Sequence, residues 1–131
     1  MKTILVDAVY CFVIKNENGF GVFSEMYDLL EKYPNNKIIL TNAGDDKFEE
    51  YSLHKMPYEV FTLKHDPEKT DPEYFKKLLN HLNIKASDTV YFEHNPEAVK
   101  SAQSVGITSY FYHEDKRDLI ALQDFLDKNL L

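Results

Sequence analysis

The sequence predicts an α/β fold: three layers, α/β/α, around a mainly parallel five-stranded sheet. Three observations predict it. Short apolar, partly β-branched runs recur along the chain at Thr3–Val6, Lys37–Leu40, Tyr58–Leu63, Thr89–Phe92 and Ile107–Tyr112. Stretches with helical apolar spacing separate them, so strands and helices alternate, which favours parallel strands covered on both faces. Asp71-Pro72-Glu73 and Asn95-Pro96-Glu97 are helix starts with a capping side chain followed by proline.

Thr3 to Val6 is short and apolar, as a buried strand requires. Val9 to Ile14 leads into the polar turn Lys15-Asn16-Glu17-Asn18-Gly19, whose Asn-Gly pair favours a tight reversal. Val22 to Tyr33 has helical spacing, with Val22, Met26, Leu29, Leu30 and Tyr33 on one face. Pro34-Asn35-Asn36 ends it, and Lys37 to Leu40 is the second strand. Gly44-Asp45-Asp46 opens a helix to about Lys55, with acids at its positive end. Tyr58 to Leu63 is the third strand, followed by a charged loop from Lys64 to Thr70. The helix after Asp71 carries a buried stripe of Phe75, Leu78, Leu79 and Leu82. Thr89 to Phe92 is the fourth strand. The helix capped by Asn95 runs to Val105 and stops at Gly106. Ile107 to Tyr112 is the fifth strand, and Lys116 to Leu130 is a terminal amphipathic helix.

At 131 residues, 44% hydrophobic and 28% charged, the chain has the makings of one domain, 1–131, with a single sizeable core. A net charge of −7 argues against broad binding to nucleic acid or an anionic membrane. One cysteine excludes an intramolecular disulfide and fits a reducing compartment. The apolar run before Asp7 is too short for a signal peptide or a membrane span. The expectation is a soluble cytoplasmic protein.

Four segments carry the chemistry: Ile4-Leu5-Val6-Asp7, Ile38-Ile39-Leu40-Thr41-Asn42, Lys69-Thr70-Asp71-Pro72 and Val90-Tyr91-Phe92-Glu93-His94-Asn95. In a parallel sheet their polar groups fall along the carboxyl edge, where α/β folds place their ligands.

In this order and on these elements, the four segments resemble the motifs of the haloacid dehalogenase-like (HAD) superfamily, a Rossmann-like fold rich in phosphatases. The resemblance spans nearly the whole chain. It implies that Asp7 holds the place of a nucleophile that takes the phosphoryl group as an aspartyl-phosphate. Thr41, with Asn42 beside it, and Lys69 hold the places that bind the phosphoryl oxygens, Thr41 donating a hydrogen bond and Lys69 neutralising charge. Asp7 and Glu93 hold the places of magnesium ligands.

Two positions depart from the family pattern. Val9 stands where phosphatases carry the aspartate that protonates the leaving oxygen, help worth about 10²–10⁴-fold. His94 stands where a second acid often ligates magnesium, a hard cation that prefers oxygen. Together they point to a degenerate hydrolase-family member that acts through binding or assembly, with Mg²⁺ weak at best. The alternative is a weak or specialised phosphatase or hydrolase with an Asp7 nucleophile. Dehalogenases of the family also lack the second aspartate, but they carry a sizeable cap. Here 34 positions separate Asp7 from Thr41 and 28 separate Thr41 from Lys69. A flap, two helices and a strand fill both intervals, so no cap domain is expected. An open site of that kind suits a large substrate or a protein partner.

Each residue also has a plainer reading. Asp7 can cap a turn, and Thr41 and Asn42 can serve only the backbone at a strand-to-helix turn. Lys69 can be a solvated lysine of a charged loop, and Glu93-His94 a loop pair with no metal. His54, His65, His81 and His113 lack ligand spacing and read as surface or partly packed. Cys11 reads as a buried packing residue. Tyr10, Phe12, Phe20 and Phe23 around the flap read as core, with an exposed aromatic patch as the alternative. A response-regulator receiver would need its phospho-accepting Asp at the end of the third strand, where the chain has Lys64.

Overall fold

A computed structural model describes residues 1–130. Thr3–Asp7 (β1), Lys37–Thr41 (β4), Glu59–Thr62 (β5), Thr89–Glu93 (β6) and Thr108–Phe111 (β7) form one sheet. Every neighbouring pair is parallel, and the order is β5-β4-β1-β6-β7. Val13–Asn16 (β2) and Gly19–Val22 (β3) make a separate antiparallel hairpin. The five expected strands are all present, each within two residues of its expected ends.

Alternation along the strands divides the core in two. Ile4, Val6, Ile39, Val90 and Phe92 face Ser24–Leu30 (α1) and Leu119–Asn129 (α5) through Met26, Leu29, Leu30, Leu122 and Leu126. Leu5, Ile38, Leu40 and Tyr91 face the opposite way, toward Pro72–Leu82 (α3) and Pro96–Ser104 (α4) through Phe75, Leu78 and Ala102. Three layers follow from this period-two pattern, because each sheet face is apolar and needs its own helices.

Both proline-marked helix starts form as expected. The Asp71 side chain accepts the Glu73 N–H, and Asn95 accepts that of Glu97. Gly106 follows α4 at a φ of 93°, a conformation glycine takes at little cost.

Three helices are shorter than expected. Val22 pairs with Val13 across the hairpin, so α1 begins only at Ser24. The segment after Gly44 divides into Asp45–Glu50 (α2) and a 3-10 turn at Leu53–Lys55, with Ser52 left-handed between them. The Ser52 hydroxyl donates to the Phe20 carbonyl at 3.0 Å, and Leu53 turns into the core, so tertiary ties break the helix there. Helix α5 starts late because Asp118 caps it, accepting the Ala121 N–H at 3.0 Å. The buried stripe of α3 is Tyr74, Phe75 and Leu78, with Leu79 and Leu82 at its margin. No helix of the described residues is long and apolar enough to cross a membrane.

Candidate functional site

Register brings the polar groups together. Asp7 lies beside Leu40, so Thr41 is one step further along the same edge. Val6 lies beside Phe92, which puts Glu93 next to Asp7. Lys69 arrives from the loop before α3, where its backbone N–H donates to Asn42 Oδ1 at 2.7 Å. Tyr74, on the first turn of α3, donates its hydroxyl to the Thr41 carbonyl at 2.9 Å and fixes that helix against the strand. A cavity of about 340 Å³ at this edge is lined by Asp7, Thr41, Asn42, Lys69, Glu93 and His94, among others.

At the floor, carboxylates and cations saturate one another. Lys69 Nζ lies 2.6 Å from Asp7 Oδ1 and 2.8 Å from Glu93 Oε1. Its remaining N–H points at the Leu40 carbonyl, 3.4 Å away. Asp7 Oδ2 accepts the His94 backbone N–H at 3.1 Å and the Cys11 thiol at 3.3 Å, and the His94 Nδ1 also bonds it. Glu93 Oε2 accepts the Asn95 N–H at 3.0 Å and lies 3.2 Å from His94 Nδ1. Tyr91, buried beneath, donates to Glu93 Oε1. All four carboxylate oxygens therefore have protein donors.

Ionisation follows from this packing. Burial alone would raise the Asp7 carboxyl, but Lys69 and the His94 hydrogen bond hold it well below the usual carboxylate range. Burial likewise opposes the Lys69 ammonium, yet Asp7 and Glu93 hold it above the usual lysine range. For His94, burial is outweighed by hydrogen bonds to Asp7 and Glu93, and its pKa stands at about 10. The ionised Asp7 carboxylate thus sits between two cations. Burial and the Asp7 and Glu93 charges push the Cys11 thiol up, and burial and Glu93 do the same to the Tyr91 phenol.

Magnesium does not suit this donor set. It requires near-octahedral oxygen ligands and usually keeps several waters. Here both carboxylates are engaged by N–H, O–H and S–H groups, and imidazole and thiol fill the space beside them.

Asp7, Thr41, Asn42, Lys69 and Glu93 all come together as the sequence places them. The reading of Lys69 as a solvated loop residue is overturned: it is 6% exposed, drawn in by two carboxylates. Thr41 Oγ1 accepts the Ala43 N–H at 3.1 Å, so it does serve the turn as well as face the cleft. Cys11 is buried as expected, but against Asp7 and not in apolar packing alone.

Two residues belong to the cleft that the sequence placed elsewhere. Tyr10 is not core: it is 46% exposed, left-handed at φ 73°, and its ring stands edge-on to His94 at 5.5 Å. His65 also lines the cavity and pairs with Glu68 at 2.8 Å. No apolar period or capping pattern marks either position in the sequence. Val9 lines the cavity too, with no group that moves a proton.

No family model and no curated protein matches the sequence. Solved structures do match the fold. A HAD family enzyme from Bacteroides thetaiotaomicron, crystallised with magnesium and inorganic phosphate, aligns with a TM-score of 0.64 and 13% identity over 85% of this chain and 93% of that one. An uncharacterized protein from Corynebacterium glutamicum aligns at 0.64 and 15%, covering 97% and 96%. A HAD-superfamily hydrolase of subfamily IA from Geobacter sulfurreducens aligns at 0.63 and 13%, covering 94% and 96%. At such identities the likeness is one of fold. With its central β1, parallel sheet and polar carboxyl edge, the chain has the HAD-like fold of these structures.

Proposed function

We propose that this chain is a degenerate HAD-like hydrolase, whose cleft binds a ligand without turning phosphate esters over. It acts by engaging a large partner, a macromolecule or another protein, at an open, capless mouth. One observation carries the reading: protein donors take every oxygen of Asp7 and Glu93, and Lys69 is spent on the same two groups. Hydrogen bonds on both Asp7 oxygens lower its nucleophilicity, and a transferring phosphoryl group needs a cation not already shared by two carboxylates. The Bacteroides neighbour was crystallised with magnesium and phosphate. Here His94 supplies a tethered positive charge beside Asp7, and Val9 offers no proton.

A weak or specialised hydrolase is the second reading. It is favoured by the ionised state of Asp7 and by the Thr41 side chain facing the cavity. Purified protein incubated with magnesium and a phosphate monoester separates the two. The proposal expects no turnover above that of an Asp7→Asn control. Turnover that the control abolishes establishes the hydrolase instead.

A further inference from the structure

Three kinds of donor converge on one side of the Asp7 carboxylate. Asp7 Oδ2, Cys11 Sγ and His94 Nδ1 all lie within 4.8 Å of one another. Among the described residues no other trio of His, Cys, Asp or Glu side chains comes together in this way. Glu93 Oε2 lies 3.2 Å from His94 Nδ1 but is not among the three converging groups.

We propose that Asp7, Cys11 and His94 form a three-ligand site for a divalent cation of the zinc class, with water as the fourth donor. The inference rests on the reading that the cleft is not a magnesium phosphotransfer centre. Oxygen, imidazole nitrogen and sulfur around one point form a donor set for zinc, bound at about 2.0–2.3 Å in tetrahedral sites. Ligands of one such ion stand about 3.3–3.7 Å apart. The 3.3 Å between Cys11 Sγ and Asp7 Oδ2 already meets that spacing, and the His94 ring has only to draw back slightly. Magnesium has little use for thiolate or imidazole, so two of the three protein donors select against it.

The saturation of the carboxylates is what makes the exchange possible. His94 N–H and Cys11 S–H both point at Asp7 Oδ2. Each becomes a ligand on losing its proton, and a coordinating thiol is deprotonated outright. Two protons leave to solvent as one dication enters, so the summed charge of the cluster is unchanged. Lys69 stays on Asp7 Oδ1 and Glu93 Oε1, the oxygens not used by the ion. Asp7, Glu93 and His94 line the cavity and give a route in, whereas Cys11 lies buried behind Asp7.

Cobalt(II) is the probe, because a thiolate ligand gives it a near-ultraviolet charge-transfer band and a tetrahedral site gives it strong visible bands. The full chain should retain one cobalt per molecule after dialysis, show both bands, and lose them to added zinc. Cys11→Ser should lose the charge-transfer band, and His94→Gln should weaken retention at least tenfold, each with an unchanged far-ultraviolet dichroism spectrum. Wild-type protein that retains neither cobalt nor zinc overturns the inference, as does a band that survives in Cys11→Ser. A parallel magnesium arm tests the parent reading separately. Magnesium that displaces cobalt and supports ester hydrolysis sinks that reading, whereas failure to bind cobalt with magnesium inert sinks only the zinc-class site.

Discussion

His94 holds Asp7 twice, through its backbone N–H at 3.1 Å and through ring Nδ1, both on the same oxygen, Oδ2. The two residues lie 87 positions apart in the chain. A residue that resembles a replaced metal ligand is therefore a hydrogen-bonded counter-ion to the strand-end carboxylate.

That relationship sets a pH dependence. The His94 pKa rises from 6.5 to about 10 on folding, so the native state holds a proton that the unfolded chain releases. Its stabilising effect is complete below 6.5 and fades as pH rises through about 10. The groups facing His94 are Asp7, Glu93 and Tyr10. Of these, Asp7 loses its contribution only on the acid side, below its ordinary 3.8. Urea midpoints measured across this range should fall with rising pH, and His94→Gln should flatten the slope. An equal slope in both proteins would show that His94 does not carry it.

Lys69 should matter more to stability than any other lysine at the cleft. Replacing it by methionine leaves two buried carboxylates with only the partly exposed His94 as counter-ion, and breaking a buried pair in this way costs about 3–5 kcal/mol. Lys47, an exposed lysine at the rim, should change stability by no more than about 0.5 kcal/mol on the same replacement. Denaturant titration of the two variants checks the contrast, and a Lys69→Met cost below about 1 kcal/mol would contradict the buried pairing.

Tyr10 is held left-handed by its own N–H, which donates to the Val13 carbonyl at 2.7 Å, and by the Val9–Val13 bridge. Any side chain with a Cβ pays about 1–2 kcal/mol for that conformation. Tyr10→Gly should therefore be more stable than Tyr10→Ala by about 1 kcal/mol, the reverse of the ordinary preference in regular elements. Thermal midpoints of the two variants decide it; alanine at or above glycine would mean that the turn relaxes.

The site was legible in the sequence where its signals are local. Asp7, Thr41 and Glu93 each close an apolar run, and Lys69 precedes an Asp-Pro helix start, so their places on one edge follow from strand ends and caps. Tyr10 and His65 were not legible, because each reaches the cleft through left-handed backbone that no apolar period announces. The break after α2 was hidden for a related reason, since the Ser52 bond to Phe20 crosses 32 positions.

What the sequence determined by itself is the alternation of strands and helices, their caps, and the presence of two carboxylates, one hydroxyl and one lysine where a HAD-like fold would use them. Period and cap chemistry act over a few residues and need no partner. What the tertiary structure decided is how those groups spend their charge. Lys69 meets Asp7 across 62 positions through the loop that Asn42 holds before α3, and His94 meets it across 87 through the β1-β6 register. Ionisation and metal preference depend on which groups touch in a buried space, and there Asp7 is a shared acceptor among a lysine, a histidine and a thiol.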